Sequence, residues 1–80
     1  MDDADIVRRI RDLSDEEHAL ETAHAGKGLS AEELDRLRAT EVALDQCWDL
    51  LRQRRARRNA GQDPDDTAVR PEGVVEGYKQ

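Results

Sequence analysis

The large apolar residues of this chain step by three and four positions along two stretches, and a short glycine-bearing segment separates them. Ile6, Ile10, Leu13, Glu17, Leu20 and His24 fall on one helix face, and Leu34, Leu37, Glu41, Leu44, Trp48 and Leu51 fall on another. This stepping marks amphipathic helices whose stripes need a helical partner. Between them, Ala25-Gly26-Lys27-Gly28-Leu29-Ser30 offers glycines that can take the positive φ ending a helix, then a serine that can start one. Ser30 and Glu33 have the spacing of a capping box, and Leu29 and Leu34 that of a hydrophobic staple. The pattern predicts a first helix over 3–25, a loop over 26–29 and a second helix over 30–59.

A loop this short makes its two helices antiparallel neighbours, so facing residue numbers share a constant sum. Leu20 with Leu34, Glu17 with Leu37, Leu13 with Glu41, Ile10 with Leu44 and Ile6 with Trp48 all sum to 54. The expected fold is therefore all-α, a coiled-coil-like antiparallel two-helix hairpin over residues 1–60. Glu17 and Glu41 each face a leucine, as polar positions that fix register do, and Arg38 is one step from the Glu17 layer.

Composition sets how much such a hairpin can bury. Leu, Ile and Val together supply 15 of 80 residues, and the chain has no Phe, one Trp and one Tyr. That stock excludes a β-sandwich, a barrel or a doubly wound sheet, and leaves nothing to wall an enzyme pocket of ordinary size. With 40% charged residues and a net charge of −6, the chain borders on the composition of disordered proteins. One seam barely offsets the entropy of ordering. A second apolar line, Ala43, Cys47 and Leu50, flanks the first beside Trp48. Two helices cannot cover both lines, so these four residues are the expected interface of a homodimer that forms a four-helix bundle.

Beyond Asn59-Ala60-Gly61, the segments Asp63-Pro64-Asp65-Asp66 and Arg70-Pro71-Glu72-Gly73 break any helical period. Residues 61–80 are expected to form a flexible tail, extended or disordered, with Val74, Val75 and Tyr78 as an apolar motif able to dock.

Charge is segregated. Residues 1–51 carry a net −8, residues 52–58 a net +5 and residues 59–80 a net −3. Arg52, Arg54, Arg55, Arg57 and Arg58 overhang the start of the first helix in the register above, which places Arg52, Arg54 and Arg55 near Asp2, Asp3 and Asp5. The arginines suit the negative end of the second helix and the aspartates the positive end of the first. The competing use of five arginines is a contact with nucleic acid or the ribosome. An acidic chain with no aromatic residue inside the arginine run favours internal pairing instead.

No catalytic, cofactor or metal constellation stands out. Glu21-Thr22-Ala23-His24 has the Glu-x-x-His spacing of di-iron bundles, but the facing seam glutamate, Glu41, belongs to the Leu13 layer. Glu33, which could approach Glu21, is used by the capping box, and His18 projects off the seam. Cys47 has acidic surroundings and no histidine beside it, which suits packing rather than nucleophilic attack. Gly26-x-Gly28 lacks the strand and further glycines of a phosphate-binding loop. One cysteine forms no internal disulfide, and neither a leader nor a membrane span is expected, which together point to the cytoplasm.

Taken together, IVRRIRDLSDEEHALE, GLSAEELDRLRATEVALDQCWDLLRQRRARR and DPDDTAVRPEGVVEGY resemble a family of short actinobacterial proteins catalogued as domain of unknown function 2630. The resemblance runs through the whole chain in the order of its elements. It implies a bacterial, cytoplasmic, stand-alone protein with no activity or ligand residues to carry over, and it implies that the RPEGVVEGY end belongs to the family's layout. The expected function is a non-enzymatic protein–protein interaction module whose partners are a second copy and an unidentified protein; the alternative is a nucleic-acid or ribosome-associated factor acting through the five arginines.

Overall fold

The structure, a computed structural model, describes residues 1–23 and 28–76. His24, Tyr78 and the first half of the expected loop, Gly26 and Lys27, lie outside the described residues. Helix α1 spans Asp3–Ala23, α2 spans Ala31–Asn59 and a short α3 spans Glu72–Val75. No strand occurs among the described residues. The two long helices pack against each other, and α3 packs on α2.

Local chemistry accounts for the helix ends. The Ser30 hydroxyl accepts the Glu33 amide at 3.1 Å while the Glu33 carboxylate accepts the Ser30 amide at 3.0 Å, which completes the capping box. A second reciprocal cap starts α1. The Asp5 amide donates to Asp2 Oδ1 at 2.9 Å and the Asp2 amide to Asp5 Oδ2 at 3.1 Å. Two short acids thus satisfy orphan amides where the helix dipole also favours negative charge. At the far end of α2, Gly61 has φ +73°. Its amide donates to the Arg58 carbonyl at 3.1 Å and the Gln62 amide to the Arg57 carbonyl at 2.7 Å. This pair of bonds is the Schellman stop, which the left-handed glycine makes possible.

The core is small and sits toward the α2 C-terminal half. Ile6, Ile10 and Leu13 of α1 are buried with Leu44, Leu50 and Leu51 of α2, and Ala43 and Cys47 pack against them. The face that α2 turns inward differs from the expected one. Leu44 and Leu51 are buried, but Leu34, Glu41 and Trp48 are exposed, and Thr40 and Arg54 are buried in addition to the leucines. Helix α2 is rotated about its axis by roughly one position, from Glu41 and Trp48 toward Thr40 and Cys47. Positions 43, 44, 47, 50 and 51 form one broad apolar stripe, and a helix presents the centre of its stripe to the core. Ala43, Cys47 and Leu50 are consequently used within the chain rather than left for a second copy.

Residues after Gly61 are the larger correction. Where composition predicts a flexible tail, the chain turns at Pro64 and runs back along α2. Gln53 donates to the Ala68 carbonyl at 3.0 Å and Gln46 to the Arg70 carbonyl at 3.3 Å. Arg70 pairs with Asp49, and Val75 of α3 is buried. The expected docking motif is thereby divided, with Val75 inside and Val74 exposed. Low hydrophobicity misleads here because the segment is held mainly by charged and amide side chains of α2.

The molecule measures 50 × 25 × 19 Å with a radius of gyration of 14.9 Å, against roughly 12 Å for a compact chain of this length. It is a rod, and its helix faces remain largely open to contact. The rotation of α2 makes a stability prediction. Leu50→Ala lowers the unfolding free energy by about 2–4 kcal/mol, whereas Trp48→Ala, at a half-exposed site, lowers it by less than about 1 kcal/mol. Chemical denaturation of the two variants checks the order, and a larger loss at Trp48 contradicts the packing described.

Candidate functional site

Two regions concentrate side chains with chemical potential: a charged junction where α1, α2 and the tail meet, and the open face of α2 around Trp48. The junction is built on Arg54, which the last turns of α2 carry inward to 6% exposure. Its Nε donates to Asp3 Oδ1 at 2.5 Å, and its Nη1 donates to Asp65 Oδ1 at 2.9 Å and to the Pro64 carbonyl at 3.2 Å. Arg58 adds a second bond to Asp3 at 2.7 Å. These guanidinium bonds, Arg58 first and Arg54 next, lower the Asp3 carboxyl to about 2.

One turn earlier along the α2 face toward the tail lies Asp49, which is 1% exposed. Arg70 binds it through two nitrogens, with Nε donating to Oδ2 at 2.9 Å, and Gln53 donates to the same oxygen at 3.0 Å. The hydrogen bond from Arg70 holds the Asp49 carboxyl below the usual range, against the opposing effect of its burial. A buried carboxylate that accepts three such bonds is an anchor for the tail.

Between the start of α1, α2 and residues 65–69 lies an open cleft of about 560 Å³, with Leu50, Arg54 and Val69 among its walls. Its acids are already engaged: Asp2 and Asp5 cap α1, and Asp65 binds Arg54. Cys47 lies on the opposite side of Leu44 from Trp48, and burial pushes its thiol up, away from thiolate character. Among the described residues no group of three or more His, Cys, Asp or Glu is placed to hold a metal ion. His18 is exposed, and His24 lies outside the described residues.

The arginine cluster divides in two. Arg54, Arg57 and Arg58 pair with Asp65 and Asp3, Asp66, and Asp3 respectively. Arg52 and Arg55 are exposed and form no ion pair among the described residues. The aspartates that engage the cluster are Asp3 and two from the tail, whereas Asp2 and Asp5 bind each other's amides. A phosphate-neutralising stripe therefore loses three of its five charges to internal partners.

The α2 face that neither α1 nor the tail covers carries Glu41, Asp45, Trp48, Arg52 and Arg55. Trp48 is 46% exposed, a large aromatic surface in a chain with one tryptophan. At its acidic end this face adjoins Glu17, whose carboxyl is raised by burial and then by the charges of Glu21, Glu41 and Asp45. Arg38 makes no bond to Glu17; it lines a shallow hollow with Glu41, Val42, Glu72 and Glu76. In this part of the hairpin Glu16 of α1 reaches Arg36 of α2, at 2.6 Å. The signal for this face was present in the sequence, since 41, 45, 48, 52 and 55 step by four and three, but the heptad through Leu44 and Leu51 obscured it.

A family model described as "Protein of unknown function (DUF2630)" matches residues 2–80. The uncharacterized proteins Mb0922c of Mycobacterium bovis and Rv0898c of Mycobacterium tuberculosis are 52% identical to the chain over 77 residues, covering 95% of it and 88% of their own length. No solved structure matches the chain.

The shifted carboxyls fix the pH dependence of stability. Asp3 and Asp49 titrate below their unfolded values, so their stabilisation is complete above pH of about 4 and is lost as pH falls through the folded values. Glu17 titrates above its unfolded value, so its charge opposes folding at neutral pH and ceases to do so in acid. Urea midpoints check both signs. Asp49→Asn lowers the midpoint at pH 7, and the deficit shrinks toward pH 2; Glu17→Gln raises it at pH 7, and the gain vanishes in acid. Equal effects at both pH values contradict the assignment.

Proposed function

We propose that this chain, which belongs to the family of unknown function DUF2630, is a non-enzymatic protein–protein interaction module. In this reading it is an antiparallel, coiled-coil-like helical hairpin clasped by its own tail, and it acts in the cytoplasm. The ion pairs Asp3–Arg54 and Glu16–Arg36 support the antiparallel sense, because the α2 partner number falls as the α1 number rises. Their residue numbers sum to 57 and 52, on either side of the 54 expected from the stripes. No helix of the chain is long and apolar enough to cross a membrane among the described residues.

The observation that carries the reading is Trp48. A chain with so few large apolar residues leaves its one tryptophan nearly half exposed, on a helix face flanked by charges of both signs that form no ion pair among the described residues. Tryptophan and arginine are the residues that most often anchor protein interfaces. Asp3, Asp49 and Arg54, by contrast, whose proton affinities are shifted by their bonds to one another's segments, are engaged in holding the chain together, which favours binding over catalysis.

Site-specific photocrosslinking in the native cell tests this. A photoreactive residue at position 48 is expected to give covalent adducts, and the same residue at Arg11, on the exposed side of α1, is expected to give few or none. Adducts at neither position, or equally at both, contradict the reading.

A further inference from the structure

The open face of α2 carries a symmetry that identifies what covers it. Glu41, Asp45, Trp48, Arg52 and Arg55 lie at −7, −3, 0, +4 and +7 relative to the tryptophan, a single helical stripe. All five are exposed, and the four charged residues form no ion pair among the described residues. The acids lie on one side of Trp48 and the arginines on the other. Within the chain the acidic end carries an excess of like charge, since Glu17 and Glu21 of α1 lie beside Glu41 and Asp45, while Arg38 shares a hollow with Glu41.

Two such helices laid antiparallel, with a two-fold axis through Trp48, bring Trp48 onto its own copy. Glu41 then faces Arg55 and Asp45 faces Arg52, with facing numbers that sum to 96 and 97. Because the contact is isologous, each pairing occurs twice, and all four charged positions find a partner of opposite sign. The parallel alternative sets acid on acid and arginine on arginine. Val7, 44% exposed, extends the apolar part of the patch. It lies on the flank of α1 away from Arg9, the residue whose charge is felt at Cys47, and so on the Trp48 side of the seam.

We propose that a second copy of this chain docks on the Glu41–Arg55 face of α2, antiparallel and two-fold about Trp48, to make a symmetric dimer. The inference rests on reading that face as the interaction surface, and it names the partner. One helix stripe per copy is small beside the roughly 800 Å² per partner of a standard interface, so the dimer forms reversibly and in a concentration-dependent way.

A charge exchange tests it by light scattering or sedimentation. Wild-type protein is expected to rise from 9.1 kDa toward twice that mass with increasing concentration. The variant Glu41→Arg/Asp45→Arg has a wholly basic face and Arg52→Glu/Arg55→Glu a wholly acidic one, so each alone is expected to stay a monomer. Mixed in equal amounts they regain all four pairings and are expected to form a mixed dimer at least as tightly as wild type. Circular dichroism confirms that each variant is helical, and the milder pair Glu41→Arg and Arg55→Glu replaces either that is not. A wild-type mass that stays at 9.1 kDa up to about 1 mM overturns the proposal. So does a mixture no heavier than its separate components. Crosslinking at position 48 to some other protein, with no dimer in solution, leaves the interaction reading standing and removes this one.

Discussion

The buried guanidinium of Arg54 is the interaction on which the rest of the structure depends. Three segments distant in sequence meet there: the first turn of α1 through Asp3, the last turns of α2, and the start of the returning tail through Asp65 and the Pro64 carbonyl. A guanidinium offers five donors in a fixed plane, so a single side chain can bind groups from several directions. Removing it from water is costly unless its charge is paired and hydrogen-bonded, and the two carboxylates and the carbonyl around it accept three of its bonds. Because Asp3 lies in the first turn of α1 and Arg54 near the end of α2, the contact also sets where the two helices stand relative to each other.

A chain with 15 Leu, Ile and Val residues cannot close a core around two long helices by apolar burial alone. The tail supplies the missing cover. It is attached along α2 by Arg54 at one end and by Asp49 at the other, with Gln53 and Gln46 between and beyond them bonding to tail carbonyls. Those amides use the backbone acceptors of a segment with no regular structure, as an irregular segment lying on a helix requires. Only then does Val75 add a buried apolar contact. The order of importance is reversed from a typical small domain, since polar bonds position the segment and apolar burial follows.

Much of the helical framework was legible in residue order. The Ser30 and Glu33 cap, the glycine stop at Gly61 and the inward line Ile6, Ile10 and Leu13 each follow from a local rule acting over three or four residues. Which stripe of α2 faces α1 was not legible, because a helix rotated by one residue turns by 100° while keeping the same three–four stepping. Leu44 and Leu51 belong to both candidate stripes, and Trp48 outweighed Cys47 by size alone. The tail failed for a different reason. Side-chain bonds to backbone carbonyls leave no periodic trace, and Asp49, Arg70, Gln46 and Gln53 read as ordinary surface residues until the segment is seen lying on them. The five arginines stand out as a group, but their division into three that form ion pairs and two that form none among the described residues rests on Asp3 and on two acids of the tail, Asp65 and Asp66, whose position leaves no periodic trace.

Rotation of α2 and return of the tail have the same functional consequence: they use up one side of the helix and leave Trp48 with its flanking charges on the other. If the Arg54 junction fixes that division, its loss must loosen α1 and the tail together. Amide hydrogen exchange on the Arg54→Gln variant measures this most directly. Protection is expected to fall jointly in the first turn of α1 and in residues 65–76, with the middle of α2 still protected. If the tail loses protection while the start of α1 keeps it, or if neither changes, the claim that one guanidinium ties the three segments is contradicted.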